Sequence, residues 1–79
     1  MARVAVVKQD SSFDGTPLKK GERFRIVDSI QEPSDIMLLM QVDMELWVPV
    51  DLGTGYAVMT KFPGEDGESF DTYFTEEQA

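Results

Sequence analysis

Short runs of hydrophobic residues, separated by polar turns, predict a protein built from β-strands. β-Branched and small apolar residues fill positions 4–7, a composition suited to a buried strand. Over residues 22–28, apolar and charged side chains alternate, as a strand with one buried face requires. Three further runs predict strands over residues 36–42, 46–50 and 56–60.

The run over residues 36–42 is open to two interpretations. It is rich in Leu and Met, which favour a short helix. We prefer a strand because the run is short and the next predicted strand follows almost at once. Residues 43–45 would then form the tip of a hairpin.

Turn signals stand between all of these runs. They include Asp14-Gly15, Thr16-Pro17 and Lys20-Gly21, with two glycines in residues 51–55. Five short strands separated by such turns predict an all-β fold, a small five-stranded barrel whose closure removes exposed edges.

Residues 63–79 differ from the rest, so we divide the chain into a barrel over 1–62 and an acidic, aromatic-containing tail. The tail starts with a flexible acidic linker over residues 64–68. Phe70, Tyr73 and Phe74 follow at the spacing of one helical turn, with Ser69 as a candidate N-cap. The aromatics either fold back over the barrel or form a peptide-like segment that orders on a partner.

The segment Leu-Lys-Lys-Gly-Glu-Arg-Phe-Arg-Ile-Val, residues 18–27, resembles the diverging turn and second strand of Src-homology-3 (SH3) domains. The resemblance extends over roughly residues 2–60. It implies an SH3-like barrel with a long first loop, a third strand over 35–42 and a fourth over 46–49. A short 3₁₀ turn over 50–52 would precede the last strand.

The chain lacks the aromatic residues with which SH3 domains bind proline-rich peptides. The first-strand tyrosines are absent from residues 5–9, and Ile36 and Met37 stand where that family has a tryptophan pair. The family's Pro-x-x-Tyr turn becomes Pro49-Val50-Asp51-Leu52, which keeps only the proline. The resemblance therefore implies the barrel and not the usual ligand.

Composition excludes most catalytic chemistry. With 79 residues the chain builds one small core, and it contains no Cys and no His. Thiol nucleophiles, Ser-His-Asp triads and His- or thiolate-bound metals are excluded. Asp43 and Glu45 are expected to be exposed hairpin charges rather than a catalytic pair. We expect no enzyme activity, cofactor or metal.

Charge is distributed unevenly along the chain. Residues 1–25 carry a net charge of +3 and residues 26–79 a net −11, within a total of −8. This balance argues against direct nucleic-acid binding and favours a partner protein with a basic surface. No run is long enough for a signal peptide or a membrane span, so we expect a cytoplasmic protein without membrane contact.

Two candidate binding surfaces follow. The first would combine the single tryptophan with acidic residues and the tail aromatics: Trp47, Asp43, Glu45, Asp51, Phe70, Tyr73 and Phe74. The second is a basic patch beside Lys8, made of Lys19, Lys20, Arg23 and Arg25. Met37, Met40 and Met44 would add an apolar surface if exposed, but in so small a chain we expect them to be buried.

Two functions are compatible with these features. The first is a non-enzymatic protein–protein interaction module or accessory subunit that binds through the acidic and aromatic surface. The alternative is a virus-encoded acidic inhibitor of a host nucleic-acid enzyme. Its acids Asp28, Glu32, Asp35, Asp43, Glu45 and Asp51, with the tail, would mimic phosphates or block a basic channel.

Overall fold

The computed structural model describes residues 3–62 and 68–78, which form seven strands and two helices. The strands are β1 (Arg3–Val7), β2 (Ser11–Phe13), β3 (Thr16–Leu18), β4 (Arg23–Ile26), β5 (Trp47–Asp51), β6 (Tyr56–Thr60) and β7 (Phe74–Gln78). The helices are α1 (Pro33–Gln41) and α2 (Phe70–Tyr73). Strand character dominates, as the hydrophobic pattern predicts.

Five strands form one antiparallel sheet in the order β6-β5-β4-β1-β7. The predicted closed barrel is wrong for the described residues, because β6 and β7 are opposite edges that do not pair with each other. Near the gap between these edges, Thr60 forms a single bridge with Ser69, and the buried Phe70 of α2 packs on Phe74. Side-chain packing by α2, rather than a strand ladder, therefore covers this side of the core.

The first loop folds into a separate hairpin, β2-β3, whose Phe13 packs against the core. Asp14 and Gly15 occupy its tip with φ values of 49° and 81°. A two-residue type I′ turn requires positive φ at both positions, and Asp-Gly is among the sequences that adopt it. Leu18, at the end of the hairpin, is fully buried in the core.

The core lies on the inner face of the sheet, where alternate residues of each strand point. It consists of small and medium apolar side chains around two phenylalanines: Ala5, Val7, Leu18, Ile26, Val48, Val50, Ala57, Met59, Phe70 and Phe74. On β5, Val48 and Val50 point into this core, whereas Trp47, Pro49 and Asp51 point to the outer face. The outer face carries α1.

The strand predicted over residues 36–42 is wrong, because this segment belongs to α1. The preceding backbone explains the helix: Pro33 fits the first helical position, and the Asp35 carboxylate accepts hydrogen bonds from the amides of Gln31 and Glu32. Leu and Met then continue a helix more readily than a strand. Residues 43–45 therefore connect α1 to β5 and are not a hairpin tip.

The C-terminal aromatics fold back onto the sheet. Residues 70–73 form the single helical turn α2, and β7 then pairs with the whole of β1, from Phe74 opposite Val7 to Gln78 opposite Arg3. Phe74 is completely buried, with ring centroids 5.4 Å from Phe70 and 6.3 Å from Phe24. The predicted acidic linker falls almost entirely on residues 63–67, which lie outside the described residues.

Candidate interaction surface

A groove opens on the outer face of the sheet where α1 ends. Its volume is about 330 Å³, and its lining is Gln41, Val42, Asp43, Trp47 and Val58. Trp47 and Val58 come from the neighbouring strands β5 and β6, in which Pro49 pairs with Val58 and Trp47 with Thr60. The indole is half-buried, so part of its apolar surface faces the groove.

The beginning of α1 is anchored to the same face by a buried carboxylate. Asp35 is fully buried, and its Oδ1 accepts hydrogen bonds from the Arg25 guanidinium at 3.1 Å and the Tyr56 hydroxyl at 2.7 Å. Arg25 also binds the Asp51 carboxylate at 3.1 Å. Because Arg25, Asp51 and Tyr56 are cross-strand neighbours on β4, β5 and β6, the sheet register itself builds the socket for Asp35.

The bonds to Asp35 favour its charged form. The hydrogen bond from Arg25, and then that from Tyr56, hold the pKa of the Asp35 carboxyl well below its usual range, against the opposing effect of burial. Asp35 is also the one fully buried residue of α1. The helix is therefore held by a polar anchor at its first turn, while its apolar residues Leu38 and Leu39 are only half-buried.

This attachment leaves apolar side chains of α1 in solvent. Ile36, Met37 and Met40 are 43%, 62% and 78% exposed. Spacings of three and four residues place them on one side of the helix together with Gln41, which lines the groove. The expectation that the methionines are buried is wrong for Met37 and Met40, whereas Met44 is half-buried. The exposed α1 face is thus continuous with the Trp47 groove.

Acidic residues surround this apolar surface. Asp43 lines the groove, Glu45 is exposed two residues later, and Glu32 caps the other end of α1. No Lys or Arg occurs in residues 26–60. The two arginines of the outer face, Arg23 and Arg25, are each bonded to carboxylates. The surface is therefore apolar at its centre and negative at its margin.

The predicted acidic and aromatic residues do not form one surface. Trp47, Asp43 and Glu45 lie together, whereas Asp51 is engaged by Arg25. The remaining three are the tail aromatics, which the structure places elsewhere. Phe70 and Phe74 are core residues, and the half-buried Tyr73 packs edge-on against Phe13 and donates its hydroxyl to Glu68.

The predicted basic patch is divided by acidic side chains. Lys19 and Lys20 are exposed at the turn before β4, where their backbone amides bind the carboxylates of Glu22 and Asp10. Arg23 and Arg25 continue onto the outer face, where their bonded carboxylates offset the positive charge. The lysines and the arginines therefore do not present a continuous field of positive charge.

Sequence reasoning missed the Asp35 socket and the exposed face of α1. A usable signal was present: Pro33 and Asp35 follow Glu32 directly before a Leu- and Met-rich run, which is a helix-start pattern. The role of Tyr56 had no such signal, because only strand pairing brings it opposite Asp51.

The described residues contain no group of three or more acidic side chains arranged to hold a metal ion. Within residues 3–62 and 68–78, neither helix has the length and apolar character needed to cross a membrane. Comparison with protein-family models, curated proteins and solved structures found no match to this chain. Its geometry is therefore the basis for a functional proposal.

Proposed function

We propose that this protein is a non-enzymatic interaction module that binds a partner protein through the Trp47 groove and the adjoining face of α1. The observation that carries the proposal is an exposed apolar helix face that continues into a groove lined by the single tryptophan. Small soluble domains rarely leave such a surface without a use, and tryptophan is enriched among residues that dominate binding energy. The acidic margin favours a basic partner.

We further propose that the fold is a divergent, open relative of the SH3 arrangement. Three features support this: a long first loop folded as the β2-β3 hairpin, a tight turn over residues 19–22, and the one-turn helix α2 directly before the last strand. The strand assignment differs from the one that the sequence resemblance implies. The third, fourth and fifth strands are β5, β6 and β7, and α1 occupies the connection between the second and third.

The alternative function, an acidic inhibitor of a nucleic-acid enzyme, has fewer acids available than the sequence indicates. Asp35 and Asp51 share the single positive charge of Arg25, and Asp35 is fully buried, so this pair presents less negative charge than two free carboxylates. Asp28, Glu32, Asp43 and Glu45 remain exposed. Phosphate mimicry also gives no role to the apolar centre of this surface. The interaction module uses both the apolar centre and the acidic margin, so it explains more of the surface.

Affinity capture from native lysate tests the proposed function. Trp47→Ala should remove the captured partners, whereas Lys20→Ala, an exposed change on the turn before β4, should retain them. Circular dichroism melts establish that both variants are folded under the capture conditions. Capture that is identical for the two variants contradicts the proposal. Capture that persists above about 0.5 M salt, where screening is nearly complete, contradicts the inhibitor.

A further inference from the structure

We propose that the occupant of this surface is a basic amphipathic helix of the partner, laid along the exposed face of α1 with one large apolar residue in the Trp47 groove. This inference rests on the proposed function and specifies the chemistry of its partner. It depends on the shape, the apolarity and the charge of the surface, each of which restricts the class of ligand.

The shape of the surface favours a helix. The exposed side chains of α1 form one stripe along Ile36, Met37 and Met40, and the stripe ends at the groove beside Gln41. A rod-shaped ligand with apolar residues at every third and fourth position matches such a stripe along its length. Methionine side chains are flexible and polarisable, so they adapt to the irregular surface of a partner helix.

The charge of the surface favours a basic ligand over a second copy of this chain. Glu32 lies at one end of α1, and Asp43 and Glu45 lie beyond the other. Lys61, the first base after β6, lines a different cavity with Arg3 and Phe62. Two copies meeting through this face about a two-fold axis would place the same acids near one another, which disfavours self-association.

Trp47 supplies a direct readout, because it is the only tryptophan of the chain and lines the groove. The probe is a synthetic 18-residue amphipathic helix of Leu and Lys, without Trp. Its control is a peptide of the same composition, scrambled so that no apolar face forms. The proposal predicts that the amphipathic peptide shifts the Trp47 emission to the blue and binds at least about tenfold more tightly than the scrambled one.

Paired variants locate the binding surface. Met37→Gln with Met40→Gln removes apolar contact without changing charge, and should weaken binding of the amphipathic probe by about tenfold or more. Phe62→Gln is the matched control, because Phe62 is 50% exposed but lines the other cavity. That variant should bind the probe as the wild type does. Asp43→Asn should weaken binding and reduce its dependence on salt.

Four results would overturn the inference. The first two are equal affinity for the amphipathic and scrambled peptides, and unchanged binding of the amphipathic peptide by the methionine double variant. The third is a larger shift of Trp47 emission with neutral phosphatidylcholine vesicles than with the amphipathic peptide. The fourth is a concentration-dependent dimer of the wild type that the double variant does not form. Failure of the proposed function looks different, because lysate capture would then be independent of Trp47. Capture that needs Trp47 but not the two methionines would preserve the function and reject the helical ligand.

Discussion

Phe74 is the residue on which the C-terminal part of the fold depends. Its side chain is completely buried and contacts aromatic rings from β4 and α2. It also begins β7, whose pairing with β1 runs over five residues. We predict that Phe74→Ala destabilises the whole domain, and not only its C-terminus.

The expected magnitude is large relative to the total stability. Truncation of a buried phenylalanine to alanine costs about 3–5 kcal/mol, because both transfer energy and packing are lost. A chain of this length has a free energy of unfolding of about 4–12 kcal/mol. The variant should therefore retain little or no stability at the lower end of that range, and should lose about 12 °C or more in Tm if it still folds.

Urea denaturation followed by Trp47 fluorescence and circular dichroism measures the effect. Thr75→Ala is the matched control, because Thr75 is the next residue of β7 and is exposed, so its substitution should change stability by no more than about 0.5 kcal/mol. A loss below about 1 kcal/mol for Phe74→Ala would refute the reasoning, since it is too small for a residue in the core. The same result would revive the hypothesis that the tail orders only on a partner.

Two further predictions concern α1. Asp35 has a lowered pKa in the folded state, so its contribution to stability is complete above the unfolded-state pKa of about 4 and is lost as pH falls through the lower folded value. The urea concentration at the unfolding midpoint of the wild type should therefore decrease as the pH is lowered from about 5 to about 2. Asp35→Asn should lower this midpoint at neutral pH and weaken its dependence on pH. A midpoint with the same pH dependence in the variant and the wild type contradicts the role of Asp35 as an anchor. The methionine double variant, Met37→Gln with Met40→Gln, should change the free energy of unfolding by no more than about 1 kcal/mol in urea titrations, because both side chains are exposed. A larger loss of unfolding free energy would mean that the two methionines pack in the core.

The C-terminal segment is part of the folded core, so its deletion does not isolate a role in binding. Deleting residues 63–79 would remove β7 and the buried aromatics Phe70 and Phe74. Loss of a partner on deletion would then report unfolding rather than a lost contact. Single substitutions on the exposed face of α1 avoid this ambiguity.

Local sequence was sufficient for most strands and turns. Alternation over residues 22–28 and the β-branched run at 4–7 predicted β4 and β1, because side-chain direction along a strand has a period of two. Asp14-Gly15 marked a turn in the first loop, and the structure shows a type I′ turn there. The spacing of Phe70, Tyr73 and Phe74 matches one helical turn, and residues 70–73 form that turn in α2. So short a segment is marginal as an isolated helix, so its packing on the sheet is what makes it stable.

Long-range pairing decided the rest. The run over residues 36–42 has a composition compatible with strand or helix, and the anchoring of Asp35 by residues from three strands favours the helix. Whether Phe74 faces a partner or the core depends on β7 pairing with β1, about seventy residues away in sequence. Neither contact leaves a periodic signal in its own segment.

The sequence by itself determined the absence of thiol and imidazole chemistry, the acidic balance after residue 25 and the predominance of short strands, because each depends on composition or on local periodicity. The tertiary structure decided that the sheet stays open, that the aromatics Phe70 and Phe74 belong to the core, and that Met37 and Met40 of α1 are exposed to solvent. These outcomes depend on which distant segments pack together. A buried carboxylate holds one end of α1 and Leu38 and Leu39 are only half-buried, so Ile36, Met37 and Met40 are left in solvent.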